Sequence, residues 1–247
     1  MTRSGLYRED FLLKETDCTI VSDHLPALRA SRVSIARHRR ELEVFIRGNP
    51  VFQYALNPLR VDEGPEVAML MAEASRRCGV GPMAAVAGVL ADLAVRDMLE
   101  AGASVAVVEN GGEASVASDR PINVALRAGE TPLSKRVGFR IEGSPIGLAT
   151  SSGVFSHALS LGEAEAVTVF AENAGVADAA ATAICNAVEG EAEREVIELA
   201  IKLGLTFEGV KGVLVLFGGH VGMGGEVPSL MKIDPDEVDS RLRMEVG

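Results

Sequence analysis

The period of the hydrophobic pattern changes repeatedly along the chain, and each change marks an element. Residues 11–23, FLLKETDCTIVSD, mix apolar and polar positions as a strand does. Over 27–48 the apolar residues Leu28, Ile35, Leu42, Phe45 and Ile46 fall at helical spacing with arginines between them, which predicts a helix. Pro50, Asn57-Pro58 and Gly64-Pro65 punctuate a connecting stretch. A second helix is expected over 65–77, with Pro65 in its first turn and Val67, Leu70, Met71 and Ala74 as its apolar stripe. Gly79-Val80-Gly81-Pro82 breaks the chain, and an alanine-rich helix runs from Pro82 to about Glu100, with Gly102 just past its end.

Strands dominate the chain beyond Gly102. Ser104–Val108 reads as a buried strand and Glu113–Ala117 as its return, joined at Glu109-Asn110-Gly111-Gly112, where Asn-Gly supplies the positive φ that a tight hairpin needs. Ile122–Arg127 and Gly138–Ile141 are further strands, with a turn at Gly143 and Pro145. Ala164–Phe170 is another, and Asn173 is placed to cap the helix that carries Asp178. A last helix is expected over Glu191–Leu203, stopped by Gly204, and a strand over Val210–Phe217 that runs into a mobile glycine-rich loop, Gly218–Gly225. The tail after Pro235 is charged and expected to fray. Hairpins alternate with helix pairs and no parallel crossover unit is evident. The class expected is therefore α+β, antiparallel sheets covered by helices, in one domain over 1–247.

Composition narrows the function classes. Aromatic residues make up 4% of the 247 residues and tryptophan is absent, so the core must be built from Ala, Val, Leu, Ile and Met. A net charge of −11 argues against general nucleic-acid binding, which depends on neutralising phosphates. Against that average, Arg29, Arg32, Arg37, Arg39, Arg40 and Arg47 gather with His38 on the 27–48 helix, a candidate anion or protein-partner surface. No uncharged apolar run of membrane-spanning length occurs, and the first fifteen residues hold no secretory apolar segment. Cys18, Cys78 and Cys185 lie far apart, without C-x-x-C spacing, which fits a reducing cytoplasm and buried packing roles. Cys78, beside a glycine turn, is the one candidate for a reactive thiol.

Few residues carry chemistry. Asp178 and Thr182 stand four apart in an alanine-rich helix, so their oxygens share one face. Such a pair suits a hard cation such as Mg²⁺, though Thr182 could instead bond back to the carbonyl of residue 178. Ala149-Thr150-Ser151-Ser152-Gly153 can turn hydroxyls and amides toward a phosphate, and so can Gly79-Val80-Gly81-Pro82 at a helix start. Glu109 and Glu113 flank the glycine turn, and His157 comes shortly after the Thr-Ser-Ser-Gly stretch; Glu109 and His157 are the acid–base candidates. His220, inside the glycine-rich segment, is a weaker one.

Taken in order, these pieces resemble the ApbE superfamily, the flavin transferase-like proteins. The resemblance rests on Gly-Val-Gly-Pro-Met-Ala-Ala-Val-Ala-Gly at 79–88, Glu109-Asn110-Gly111-Gly112, Ala149-Thr150-Ser151-Ser152-Gly153, and Ala177-Asp178-Ala179-Ala180-Ala181-Thr182-Ala183 after a strand. It covers about residues 75–205 and is nearest to a shorter, signal-less branch found largely in anaerobic archaea and bacteria. It implies a two-layer fold of the tunnelling type and a pocket for FAD or FMN. Asp178 and Thr182 would then be metal ligands together with a backbone carbonyl. Thr150, Ser151 and Ser152 would lie on the phosphate side, and Gly79, Gly81, Met83, Asn110, Gly111 and Gly112 would line the ligand. The family's Ala-Ile-Ala-Lys-Gly lysine and its His-x-x-Asp-Pro motif are absent, which argues against FMN transfer to protein. The expectation is a cytoplasmic, homodimeric, ApbE-like pocket for a phosphate-bearing ligand. Two alternatives stand beside it: a partner-binding protein docking through 27–48, and a component of sulfur assimilation toward homocysteine with Cys78 as persulfide carrier.

Overall fold

The computed structural model describes residues 5–125, 137–143, 145–153, 162–191, 193–232 and 244–245. The chain opens with a hairpin, β1 (Tyr7–Leu13) and β2 (Thr16–Ser22), which divides the strand-like stretch 11–23 at Lys14-Glu15. The long helix α1 (Leu25–Gly48) and the short α2 (Pro50–Tyr54) come next, then α3 (Glu66–Cys78). A 3₁₀ turn, Pro82–Ala85, leads into α4 (Val86–Glu100). Two strands, β3 (Val105–Asn110) and β4 (Glu113–Ser118), form the hairpin at Gly111-Gly112. Both turn glycines have positive φ, so Gly-Gly makes the turn and Asn110 remains the last strand residue.

The chain continues through β5 (Ile122–Ala125), β6 (Val137–Ile141), β7 (Ile146–Ser151) and β8 (Ala166–Ala171). The helices α5 (Ala174–Asn186) and α6 (Glu193–Gly204) precede β9 (Val210–Phe217), β10 (His220–Gly225), β11 (Ser229–Lys232) and β12 (Met244–Glu245). One sheet of eight strands runs β1-β2-β3-β4-β7-β8-β9-β10, and a smaller one runs β11-β6-β5-β12; the pairings are antiparallel throughout. The α+β class with helix-covered antiparallel sheets is the class observed.

The period of two along the strands decides how the layers stack. In β9, Val213, Val215 and Phe217 join the core beneath α3, α4, α5 and α6, while Leu214 and Leu216 join the core on the opposite face. That second face is closed by the small sheet, through Ile122, Val124, Phe139 and Ile141. Phe139 packs edge-on against Phe170 of β8 with ring centroids 4.8 Å apart. With both faces covered, the central strands are apolar at nearly every position, which is why they read as continuous runs of Val, Ile and Ala.

The glycine-rich segment 218–225 is not a loop, as its composition suggested. Gly218 and Gly219 make a tight turn of positive φ, and His220–Gly225 forms β10, the outer strand beside β9. A Cβ on Gly222 would come within 2.3 Å of Ile197 Cγ2, and one on Gly224 within 2.4 Å of Ile201 Cγ2. Glycine is there so that α6 can lie directly on the strand.

Candidate ligand and cation site

The site forms where the first turns of α4 and α5 cross above β4 and β7. A Cβ on Gly88 would sit 2.2 Å from the carbonyl oxygen of Ala174, so the two helix backbones touch. Close contact brings each helix within reach of a carboxylate on the other. Asp178 Oδ2 accepts the Gly88 N–H at 3.0 Å, and the Ala87 amide also acts on it. Asp92, on α4, accepts the Ala174 N–H at 2.9 Å on Oδ1 and the Gly175 N–H at 2.8 Å on Oδ2. Asn173 Oδ1 accepts from the Val176 N–H at 2.8 Å, as its place before the helix predicts. A carboxylate at a helix N-terminus satisfies amides that have no partner within the helix and meets the positive end of its dipole.

The β3–β4 turn completes the wall. Asn110 Nδ2 donates to the Ala87 carbonyl at 3.1 Å, and Glu109 Oε1 accepts the Gly112 N–H at 2.9 Å. Glu113 pairs in register with Ala149, next to Thr150, whose Oγ1 lies 2.9 Å from Thr168 Oγ1 across the strands. A Cβ on Gly112 would lie 3.8 Å from the Thr150 carbonyl oxygen. The turn, the Thr150 strand end and the α4–α5 crossing are therefore neighbours.

Three carboxylates share this space. Burial pushes Asp178 up to about 7, against the pull of the Gly88 and Ala87 amides and with a further push from Asp92. Burial also raises Glu113 well above the ordinary carboxylate range, followed by the charges of Asp178 and Glu109. Asp92 is raised by burial, with the Ala174 and Gly175 amides and Ser115 opposing. Among the described residues, no Lys or Arg contributes to the shift of Asp178 or Glu113. Half-buried Thr182 lies one turn beyond Asp178. The donor set is all oxygen, which fits a hard cation such as Mg²⁺. Among the described residues, no cluster of three His, Cys, Asp or Glu forms a metal site by itself, so the threonine hydroxyl, backbone oxygens and ligand oxygens would have to complete the shell.

A cavity of about 650 Å³ opens beside this crossing. Leu42, Ile46, Met83, Val86 and Leu90 give it an apolar wall, Ala87 and Asn110 join it to the crossing, and Lys14, Arg39 and Arg47 bring positive charge. Lys14 is paired with Glu43 at 2.7 Å, and Arg39 with Glu15 and Glu43.

The residues singled out from the sequence divide between this site and other places in the fold. Met83, Asn110, Gly112, Thr150 and Asp178 lie at the crossing or on the cavity wall. Gly79 instead ends α3 in the left-handed conformation, and Gly81 is pressed against the Ala55 backbone before the 3₁₀ turn. The amides that meet the carboxylate belong to residues 87 and 88, beyond the glycine break. Ser151 and Ser152 are buried at the end of β7, and His157 lies outside the described residues. Of the α1 arginines, Arg32 pairs with Glu9 and Arg37 with Asp97. All three cysteines are buried, and burial pushes the Cys78 thiol up to about 12, which disfavours the thiolate. Asp92 was not foreseen, although a lone carboxylate in Val-Leu-Ala-Asp-Leu-Ala-Val was a visible signal. A buried charge demands partners.

No single helix among the described residues is long and apolar enough to cross a membrane. The arrangement of sheet, helices and crossing is the ApbE fold. An ApbE protein from Thermotoga maritima superposes with a TM-score of 0.55 at 14% identity, over 96% of this chain and 99% of that one. The apo form of the flavinyl transferase ApbE from Pseudomonas stutzeri gives 0.60 at 15% identity, over 91% and 96%. At such identities the likeness shows the fold alone. The family model described as AbpE bacteria matches residues 3–202, and the chain belongs to this ApbE-like family. Within it, a UPF0280 protein of Methanosarcina acetivorans is 39% identical over 230 residues, 92% of this chain and 90% of the relative. A UPF0280 protein of Methanopyrus kandleri is 41% identical over 232 residues, 92% and 94%. The shorter branch that the motifs resembled is thus the branch of these relatives.

Proposed function

We propose that the protein binds a phosphate-bearing ligand, a flavin such as FAD or FMN, in the cavity beside the α4–α5 crossing, with Mg²⁺ at Asp178 and Thr182. The observation that carries this reading is that the cavity and the carboxylate cluster share one wall, the first turn of α4. An apolar wall of Leu42, Ile46, Met83 and Leu90 suits a planar ring system, and Arg47, together with Lys14 and Arg39 once released from Glu15 and Glu43, suits phosphate. The solved neighbour named as a flavinyl transferase supports the ligand class. A bound cation would offset the charge of Asp178, Glu113 and the ligand phosphate. Asp178, Thr182 and Glu113 would hold it, and Thr150 and Asn110 would orient the ligand against the Gly111-Gly112 turn. The reading is binding and not transfer to a protein, because residues 79–88 contain no lysine.

Titration of the purified protein with FAD and FMN, with and without Mg²⁺, tests it. Micromolar binding that requires the cation and is lost in Asp178→Ala is expected. Absence of binding for both flavins would overturn it.

A further inference from the structure

We propose that Asp92 is a positioning residue for Asp178, and that the two form a reciprocal clamp fixing the α4–α5 crossing. The geometry has an internal symmetry. Asp92 stands four residues after Gly88 on α4 and holds the amides of Ala174 and Gly175. Asp178 stands four residues after Ala174 on α5 and holds the amide of Gly88. Gly88 and Ala174 are the pair whose backbones touch. Each helix therefore caps the other with a carboxylate one turn inside its own start. Four α5 N–H groups are accounted for: Asp92 takes those of Ala174 and Gly175, the Asn173 side chain that of Val176, and the Asn173 carbonyl that of Ala177 at 3.2 Å.

Asp178 can stay on the Gly88 amide only while α5 keeps its angle and depth. Asp92 grips the end of α5 that sets both. β7 adds a floor, since a Cβ on Gly147 would meet the Asn173 carbonyl carbon at 2.0 Å, but it offers no polar grip on those amides. Losing Asp92 frees two α5 amides and lets the Asp178 face drift from the α4 turn. The consequence for cation binding rests on the function proposed above; the positioning itself does not.

The test combines amide hydrogen exchange with Mn²⁺ binding read by electron paramagnetic resonance, in the full chain. Asp92→Asn removes one acceptor oxygen. Asp92→Ala removes both acceptors without placing a new amide group against the α5 N–H groups. Exchange at Gly88 should accelerate about tenfold or more relative to Val169 in β8, and Mn²⁺ affinity should fall about 10–100-fold, the usual cost of losing a group that orients a metal ligand. A further Asp178→Asn change should then add little to the Gly88 exchange rate, because the bond to that amide is already loosened. If Asp92→Asn does not fold, Asp92→Ala decides. Gly88 exchange unchanged from wild type in the folded variants would overturn the proposal. A wild-type protein that takes up no Mn²⁺ would overturn the cation reading instead, and the Gly88 exchange would still decide the clamp.

Discussion

The two faces of the eight-stranded sheet solve the same burial problem in opposite ways. On the face toward the small sheet, Phe139, Phe170, Leu214, Leu216 and Ile122 meet with apolar side chains and an edge-on aromatic pair. On the helix face, alanines and glycines let backbones approach, and Asp92, Glu113 and Asp178 occupy space between them. Volume and dispersion hold the first face. The second gives up volume for proximity, and proximity turns helix ends into partners for carboxylates. Aromatic rings serve both faces, since Phe45 and Phe52 also pack edge-on in the helix-face core with ring centroids 5.2 Å apart, but at the α4–α5 crossing the small residues leave the backbone within reach of a ligand.

The largest expected effect breaks the apolar face. Phe139→Ala should cost about 3–5 kcal/mol by denaturant unfolding, because its pocket against Phe170 cannot collapse. If instead it is tolerated while flavin binding is lost, the division of labour between the faces is wrong. On the helix face, Gly88→Ala places a Cβ against the Ala174 carbonyl and should cost about 1–3 kcal/mol. Ligand binding should suffer more than stability does, and equilibrium titration beside unfolding curves would show whether it does.

A pH series sharpens the contrast. Asp178 is held at about 7, above its ordinary 3.8, and Asp92 and Glu113 are also raised. A carboxylate with a raised folded pKa keeps its stabilising contribution below the unfolded value and loses it as pH climbs through the folded one. In EDTA, stability should therefore decline as pH rises from 3.8 toward about 7, and Asp178→Asn should flatten that decline. Mg²⁺ should restore most stability at the alkaline end of this window. A wild-type profile that is flat there would show that these carboxylates ionise as readily in the folded protein as in the unfolded one. The smallest effect is a control. Lys202→Ala breaks only an exposed contact to Glu198 at 3.9 Å and should shift stability by less than about 0.5 kcal/mol.

Much of the fold was legible in the sequence, because period and punctuation are local. The α1 and α3 stripes, the alanine-rich α4, the Gly111-Gly112 hairpin, the Asn173 cap and the break at Gly79 are all set by near neighbours. The glycine-rich stretch 218–225 was misread because glycine signals both a loop and a strand under a close helix, and only the position of Ile197 and Ile201 separates the two. Of the site, the i,i+4 pair Asp178–Thr182 and the motif segments were readable, and the match to residues 3–202 places them in a family.

What the sequence determined alone is which residues form most of the helices and strands, that the sheets are antiparallel, and that oxygen donors recur in a chain poor in other chemistry. Only the tertiary structure decided that Ala87 and Gly88 face the Asp178 carboxylate, that Asp92 grips α5, and that Glu113 stands beside Asp178. The reason is physical. Helix starts and turns are written in neighbouring residues. A crossing is written in residues 90 positions apart, Gly88 and Asp178, whose approach depends on every layer packed beneath them.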